Sequence, residues 1–185
     1  VPIVGTEPSC ILTLRDEYPD LILDGTASLD ARVVAGQAFL VDELIASVVA
    51  GDDEGARAFK AMLRPVGNND QGSTHAVLHG HCHQKAIAGM DATLTVLGLI
   101  PGLDTTLIDS ACCGMAGSFG FEAEHYEVSR AMAERSLLPA VLAAPADTEV
   151  LVTGISCRQQ IAHFSGRRPR HVLELLADAI ASSAR

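Results

Sequence analysis

Asp109-Ser110-Ala111-Cys112-Cys113-Gly114-Met115-Ala116-Gly117-Ser118-Phe119-Gly120 is the stretch whose reading decides the fold. Two adjacent cysteines stand between an apolar run, Thr105 to Ile108, and a glycine-spaced turn that leads into a helix-like segment from about Phe121. A strand, a tight turn and a helix start create a place where backbone N–H groups point at whatever is bound. Thiols there are shifted toward thiolate, because the helix dipole favours negative charge. Thiolates either bind soft metals or carry out redox chemistry.

Outward from this stretch, the same arrangement recurs. The pattern predicts strands at Val1 to Thr6, His75 to His79, Thr105 to Ile108 and Glu149 to Thr153. A cysteine follows each one. Cys10 ends the turn Glu7-Pro8-Ser9-Cys10, Cys82 sits in Gly80-His81-Cys82-His83-Gln84-Lys85, and Cys157 sits in Gly154-Ile155-Ser156-Cys157. Helices are predicted over Ile11 to Tyr18 and from an Asp30 cap to about Val49, with apolar positions from Val33 to Val48. Further helices are predicted from Lys85 to about Leu97, over Glu122 to Ala143 with a break at Pro139, to about Phe164, and over His171 to Ala181. Residues 51–74 read as loop around a short amphipathic piece, Ala56 to Leu63. Strands alternating with helices imply an α/β fold, a parallel sheet flanked by helices on both faces. Ligands of such sheets sit outside the carboxyl ends of the strands, where all five cysteines fall in this reading.

Composition narrows the chemistry. With 185 residues, 48% of them hydrophobic, the chain can bury one sizeable core. A formal charge of -10 disfavours nucleic-acid partners. No apolar run approaches the ~20 residues of a membrane span. Five cysteines is an odd count in a chain too large for a small secreted scaffold, so metal or catalytic thiols and a cytoplasmic, reducing setting are expected. The gaps from Cys82 to Cys112 (residues 83 to 111) and from Cys113 to Cys157 (114 to 156) are too long for a zinc-finger pattern but match one strand–helix unit each. Four thiolates are the usual complement of an iron–sulfur cluster, which makes Cys82, Cys112, Cys113 and Cys157 the candidate ligands. The bland alternative is that they are small apolar core residues. Ile3 to Cys10 also echoes Val150 to Cys157, an apolar strand ending in a Ser-Cys pair, as if Cys10 closed one unit and Cys157 the next.

The pattern Cys82…Cys112-Cys113-Gly114…Cys157 resembles the cysteine-rich CCG domain of heterodisulfide reductase, of the iron–sulfur subunits of glycolate oxidase and anaerobic glycerol-3-phosphate dehydrogenase, and of lactate-utilisation proteins. Gly5 to Cys10, His79 to Lys85, Asp109 to Gly120 and Ser156 to Ile161 look most like the C-terminal part of bacterial FAD-linked oxidases of the D-lactate or D-2-hydroxyacid dehydrogenase type. The resemblance covers nearly the whole chain. It implies a Rossmann-like half of a duplicated domain over residues 1–185, a C-terminal fragment of a longer chain. It also implies a 4Fe-4S cluster, cubane or noncubane, held by Cys82, Cys112, Cys113 and Cys157. The sequence departs from the family's fullest form, which ends in Cys-x-x-Cys, because Gln160 stands three positions after Cys157. A five-thiolate noncubane site would therefore have to recruit Cys10.

Around these cysteines, His81 and His83 could ligate metal, since imidazole with thiolate suits zinc, or could hydrogen-bond cluster sulfurs. His79 shares their face on an extended segment. Lys85 could place positive charge near a cluster, or simply be solvated. Gly114, Gly117 and Gly120 do not make G-x-G-x-x-G, so a dinucleotide site is disfavoured. The leading expectation is an iron–sulfur electron-transfer module that is not catalytic alone. It would take electrons from a FAD-binding domain or subunit that oxidises a 2-hydroxy acid and pass them to an acceptor such as a quinone, in the cytoplasm or peripheral to the inner membrane. A zinc domain and a thiol–disulfide domain built on Cys112-Cys113 are the alternatives.

Overall fold

The computed structural model describes residues 1–22, 24–67 and 73–181; the loop predicted around Gly67 to Gly72 lies largely outside the described residues. The chain runs β1 (Ile3–Gly5), α1 (Pro8–Arg15), α2 (Glu17–Leu21), α3 (Gly25–Ala35), β2 (Ala38–Leu40), α4 (Val41–Val49) and α5 (Glu54–Met62). It continues through β3 (Thr74–His79), α6 (Cys82–Ile87), α7 (Asp91–Leu97), β4 (Leu103–Leu107), α8 (Tyr126–Glu134), α9 (Leu137–Ala143) and β5 (Glu149–Val152). It closes with α10 (Ile155–Ser165), β6 (Arg170–His171) and α11 (Val172–Ala181).

Four strands form the main sheet in the order β4-β3-β5-β6, all parallel. Alternation along the central strands divides the core. Ala76, Leu78 and Leu151 face one side, against Val96 and Leu97 of α7 and Val172, Leu175 and Leu176 of α11. Val77, Val150 and Val152 face the other, against Leu137 and Val141 of α9 and Ile161 of α10. Cys113 and Cys157 belong to this second core, so the cysteines sit where the sheet's carboxyl edge meets the α9–α10 layer. Burial on both faces is what makes β5 read as an unbroken apolar run.

The first strand does not join this sheet. β1 pairs in parallel with β2, and this small sheet packs under α1 through Ile11, Leu12, Ala38 and Leu40. The helix expected from Asp30 to Val49 is therefore two helices separated by a strand. Gly36 ends α3, and Ala38 and Leu40 are buried against α1 rather than on a helical stripe. The small unit is tied to the rest by a buried polar network. The Asp42 carboxylate on α4 accepts from Gln84 Nε2 (3.3 Å) and from the Thr93 hydroxyl, and Gln84 Nε2 also donates to Thr93 Oγ1 (2.8 Å).

The segment expected as one helix over Glu122 to Ala143 follows one short 3₁₀ turn, Phe119–Phe121, and begins with another, Ala123–His125. It then divides into α8 and α9 at Arg135-Ser136. Pro139 does not break it. Proline at the third helical position lacks an N–H that would have had no intrahelical partner anyway. The short strand β6 takes in His171, which was expected as the first residue of the last helix. Its His171 caps α11: ring Nδ1 accepts from Leu173 N (3.2 Å), while Glu174 reaches back to His171 N (2.8 Å).

Candidate metal centre

The four cysteines reach the sheet edge by three routes. Cys82 opens α6 directly after β3. Cys112 and Cys113 lie in the turn after β4, and Cys157 is in the first turn of α10 after β5. The turn after Cys113 needs its glycines. Gly114 has φ +97, and a Cβ there would stand 2.2 Å from the Ser129 carbonyl oxygen. The positive φ aims Gly114 N–H back at Cys112 Sγ, 3.3 Å away. Ala116 also adopts φ +38, an unfavourable conformation for an L-residue.

The four thiols interact as one group. Cys112 lies between the Cys113 and Cys82 thiols and accepts from both, and with the Gly114 and Ala116 N–H groups this lowers its pKa to about 2. Cys82, sharing its proton with Cys112 and partly buried, is pushed up. Cys113 is pushed up too, by donation to Cys112 and Cys157 and by burial. Cys157 is lowered to about 5 by the Cys113 thiol, against the cost of its burial and with help from His79 and His81. The thiols are thus linked in a row, Cys82 to Cys112, Cys112 to Cys113 and Cys113 to Cys157. All five cysteines are free. Cys113 and Cys157 are buried, and Cys82, Cys112 and an edge of Cys113 line a cavity of about 220 Å³ together with Glu7 and His81.

The other expected residues divide. Cys10 lies inside α1 rather than in the turn, is exposed, and is not among the groups acting on the four thiols. The His83 ring faces Glu17 (3.4 Å). The His81 ring accepts His83 N–H at Nδ1 (3.2 Å) and has Glu7 3.9 Å from Nε2. Lys85 Nζ bonds the carbonyls of Ser110 and Ala111 (3.0 Å to the latter), clamping the backbone that leads into Cys112. Gln160 is buried. Its Nε2 donates to the Cys113 carbonyl (2.9 Å), Ser129 Oγ (2.9 Å) and the Ser129 carbonyl (3.2 Å), so it braces the turn from below.

Two participants carry more weight than the sequence pattern gives them. Glu7 crosses from the N-terminal unit to accept Ile155 N–H at the start of α10 (2.9 Å). His79 ends β3 on the same face as Val77, with a ring nitrogen within 4.8 Å of the Cys113 and Cys157 sulfurs. The apolar alternation of β3 could have placed His79 on that face; nothing local signals Glu7.

Comparison with known proteins finds relatives among bacterial dehydrogenases. The chain is 31% identical over 181 residues to a subunit of the anaerobic glycerol-3-phosphate dehydrogenase of Escherichia coli (strain K12), covering 98% of this chain and 41% of that protein. It is 28% identical over 181 residues to the D-2-hydroxyglutarate dehydrogenase of Escherichia coli (strain K12), covering 97% of this chain and 16% of that protein. It is 30% identical over 178 residues to the D-2-hydroxyglutarate dehydrogenase of Pseudomonas putida, covering 95% of this chain and 15% of that protein. The chain is homologous over nearly its whole length to parts of these dehydrogenases. It spans well under half the length of each. No family model matches the chain, and no solved structure does. Among the described residues, no helix is long and apolar enough to cross a membrane. The chain thus has a Rossmann-like parallel sheet whose carboxyl edge gathers four thiols.

Proposed function

We propose that this chain is a CCG domain, the iron–sulfur electron-transfer module of a flavin-linked oxidoreductase acting on a 2-hydroxy acid of the lactate or glycolate type, with Cys82, Cys112, Cys113 and Cys157 as ligands. The observation that carries the reading is the convergence of four free thiols, Cys82, Cys112, Cys113 and Cys157, on the carboxyl edge of one parallel sheet. The donor set fits a 4Fe-4S cluster, because thiolate is its usual ligand and four are present. A bound cluster would supply one-electron transfer; the chain supplies ligation, hydrogen bonds and burial.

The residues divide this work. Cys113 and Cys157, packed among Val152, Val141 and Ile161, hold the dry inner side. Cys82 and Cys112 face the cavity and form the side on which a partner could approach. Gly114 N–H and the Lys85 clamp hold Cys112 and the carbonyls before it. The donor of electrons would be a FAD-binding dehydrogenase domain or subunit, and the acceptor a quinone or similar carrier. Catalysis of substrate oxidation belongs to the flavin, and the module alone turns over no substrate.

The test is anaerobic reconstitution with iron and sulfide, followed by visible absorption and EPR of the wild type and of Cys112→Ser. A brown protein with a reducible or oxidisable cluster signal, lost in Cys112→Ser, supports the reading. A colourless protein that binds one zinc tightly replaces it with a structural zinc domain, a second reading favoured by the nitrogen donor of His79 beside two sulfurs.

A further inference from the structure

The thiol cavity shares a wall with a second cavity. Phe121 and Gln159 line both the cavity of Cys82 and Cys112 and a neighbouring one of about 290 Å³, whose lining also includes Met115, Tyr126, Gln160 and His163. Met115 packs in the same core as Cys113 and Cys157, and Gln160 donates to the Cys113 carbonyl (2.9 Å). The turn after the paired cysteines shapes this wall. Gly120 N–H closes it on the Met115 carbonyl (2.9 Å), and Phe121 emerges 65% exposed. A phenyl ring left uncovered beside a cavity offers a face on which another ring can be buried.

The chemistry of the lining narrows the occupant. No Lys, Arg, Asp or Glu lines the second cavity, so nothing there balances a phosphate, and the chain's formal charge of -10 repels one further. A nucleotide cofactor is therefore disfavoured and a neutral ligand favoured. About 290 Å³ is at the small end of ligand sites, roughly 300–1,000 Å³, and suits a head group of one or two rings. The polar groups suit carbonyl oxygens. Tyr126 Oη lies 3.2 Å from His163 Nε2, with the two rings edge to face at 85°. Phe164 braces both rings, with centroids 5.7 Å from Tyr126 and 4.6 Å from His163. When His163 donates from Nε2, the Tyr126 O–H is left to donate to a ligand.

We propose that this second cavity binds the head group of a quinone, with Phe121 covering one side of the ring and Tyr126, backed by His163, donating to a carbonyl oxygen. The assignment rests on the electron-transfer reading above and gives its acceptor a place, one wall away from the four thiols. A quinone becomes a quinol by taking two electrons and two protons. The electrons are the two that a 2-hydroxy acid loses, together with two protons, as it becomes a 2-oxo acid. They reach the quinone singly through the module, and the protons come from water, with one path through His163 and Tyr126.

The experiment titrates the full chain anaerobically with duroquinone, before and after reconstitution with iron and sulfide. The fully methylated ring of this quinone leaves thiols no ring C–H position for addition. Calorimetry gives the affinity, and NMR of the tyrosine and histidine rings in the metal-free chain gives the place. Saturable binding that shifts the Tyr126 and His163 signals supports the site. Phe121→Ala, at an exposed position, and Tyr126→Phe should each weaken binding about 2- to 10-fold, with folding checked by circular dichroism. If one variant does not fold, the other and the ring shifts carry the test. Durene, the same methylated ring without carbonyls, should bind more weakly by about 5-fold, and FMN should not compete. No saturable binding, equal affinity for durene, displacement by FMN, or an affinity unchanged in both variants overturns the proposal. The two readings fail separately. A brown chain that does not bind duroquinone keeps the electron-transfer reading and loses this site; a colourless chain that binds it at Tyr126 and His163 loses that reading and keeps the site.

Discussion

Replacing Gly114 and Gly117 separately with alanine tests whether the turn after the paired cysteines is shaped by steric contact or only by backbone conformation. Both glycines have positive φ, +97 and +66. A Cβ at Gly117 meets nothing within 4 Å. Gly117→Ala therefore meets the left-handed penalty of about 1–2 kcal/mol, partly offset by about 0.4–1 kcal/mol from the less flexible unfolded chain, for a net loss near 1 kcal/mol. A Cβ at Gly114 lands 2.2 Å from the Ser129 carbonyl oxygen and 2.9 Å from its carbon, both backbone atoms of α8 that cannot rotate away. The backbone strain of about 1–3 kcal/mol is then joined by an overpacking term of about 1–3 kcal/mol, for a total near 4 kcal/mol. With a urea dependence of about 2 kcal/mol/M, the unfolding midpoint should fall by about 2 M for Gly114→Ala and by about 0.5 M for Gly117→Ala. Equilibrium urea unfolding followed by circular dichroism under reducing conditions measures both. Equal shifts for the two variants, or a Gly114→Ala shift no larger than that expected for Gly117→Ala, would refute the close approach of the turn to α8.

Three further outcomes follow from the same geometry. Gln160→Leu leaves the Cys113 carbonyl and Ser129 hydroxyl without their buried amide donor and should cost about 1–3 kcal/mol in urea unfolding; an unchanged midpoint would show that the brace is dispensable. Leu151→Ala empties a fully buried position at the centre of β5 and should cost about 2–5 kcal/mol by the same measurement, whereas a loss below about 1 kcal/mol would contradict the two-faced core. Glu174 is held below the ordinary carboxylate range, first by the His171 N–H, then by Arg158 and Arg170. Because the folded state favours its ionised form, its contribution is present above the unfolded pKa of about 4.3 and is lost as pH falls through the lower folded value. Glu174→Gln should remove that portion of the acid dependence, about 0.5 kcal/mol after screening at this half-exposed site, and unchanged slopes of stability against pH would refute the assignment.

The sequence determined the alternation of strands and helices along most of the chain, because a parallel strand buried on both faces is a short apolar run, as in Val150-Leu151-Val152. It also determined the placing of Cys82, Cys112, Cys113 and Cys157 after strands, since a strand-to-helix turn is marked locally by glycine and by the end of the apolar run. Tertiary structure decided what local pattern could not carry. Ala38-Phe39-Leu40 is a strand because β1 and α1 lie against it, although the same residues also continue a helical stripe. Cys10 follows a strand like the other cysteines, yet that strand pairs with β2 and not with the main sheet, so its thiol is not brought to the other four. The partners of Glu7 and His79 are 148 and 31 residues away in sequence, and no local propensity encodes which distant N–H or hydroxyl a side chain will meet. That information resides in the packing of whole elements, which alone turned one histidine of three toward the sulfurs and two toward carboxylates.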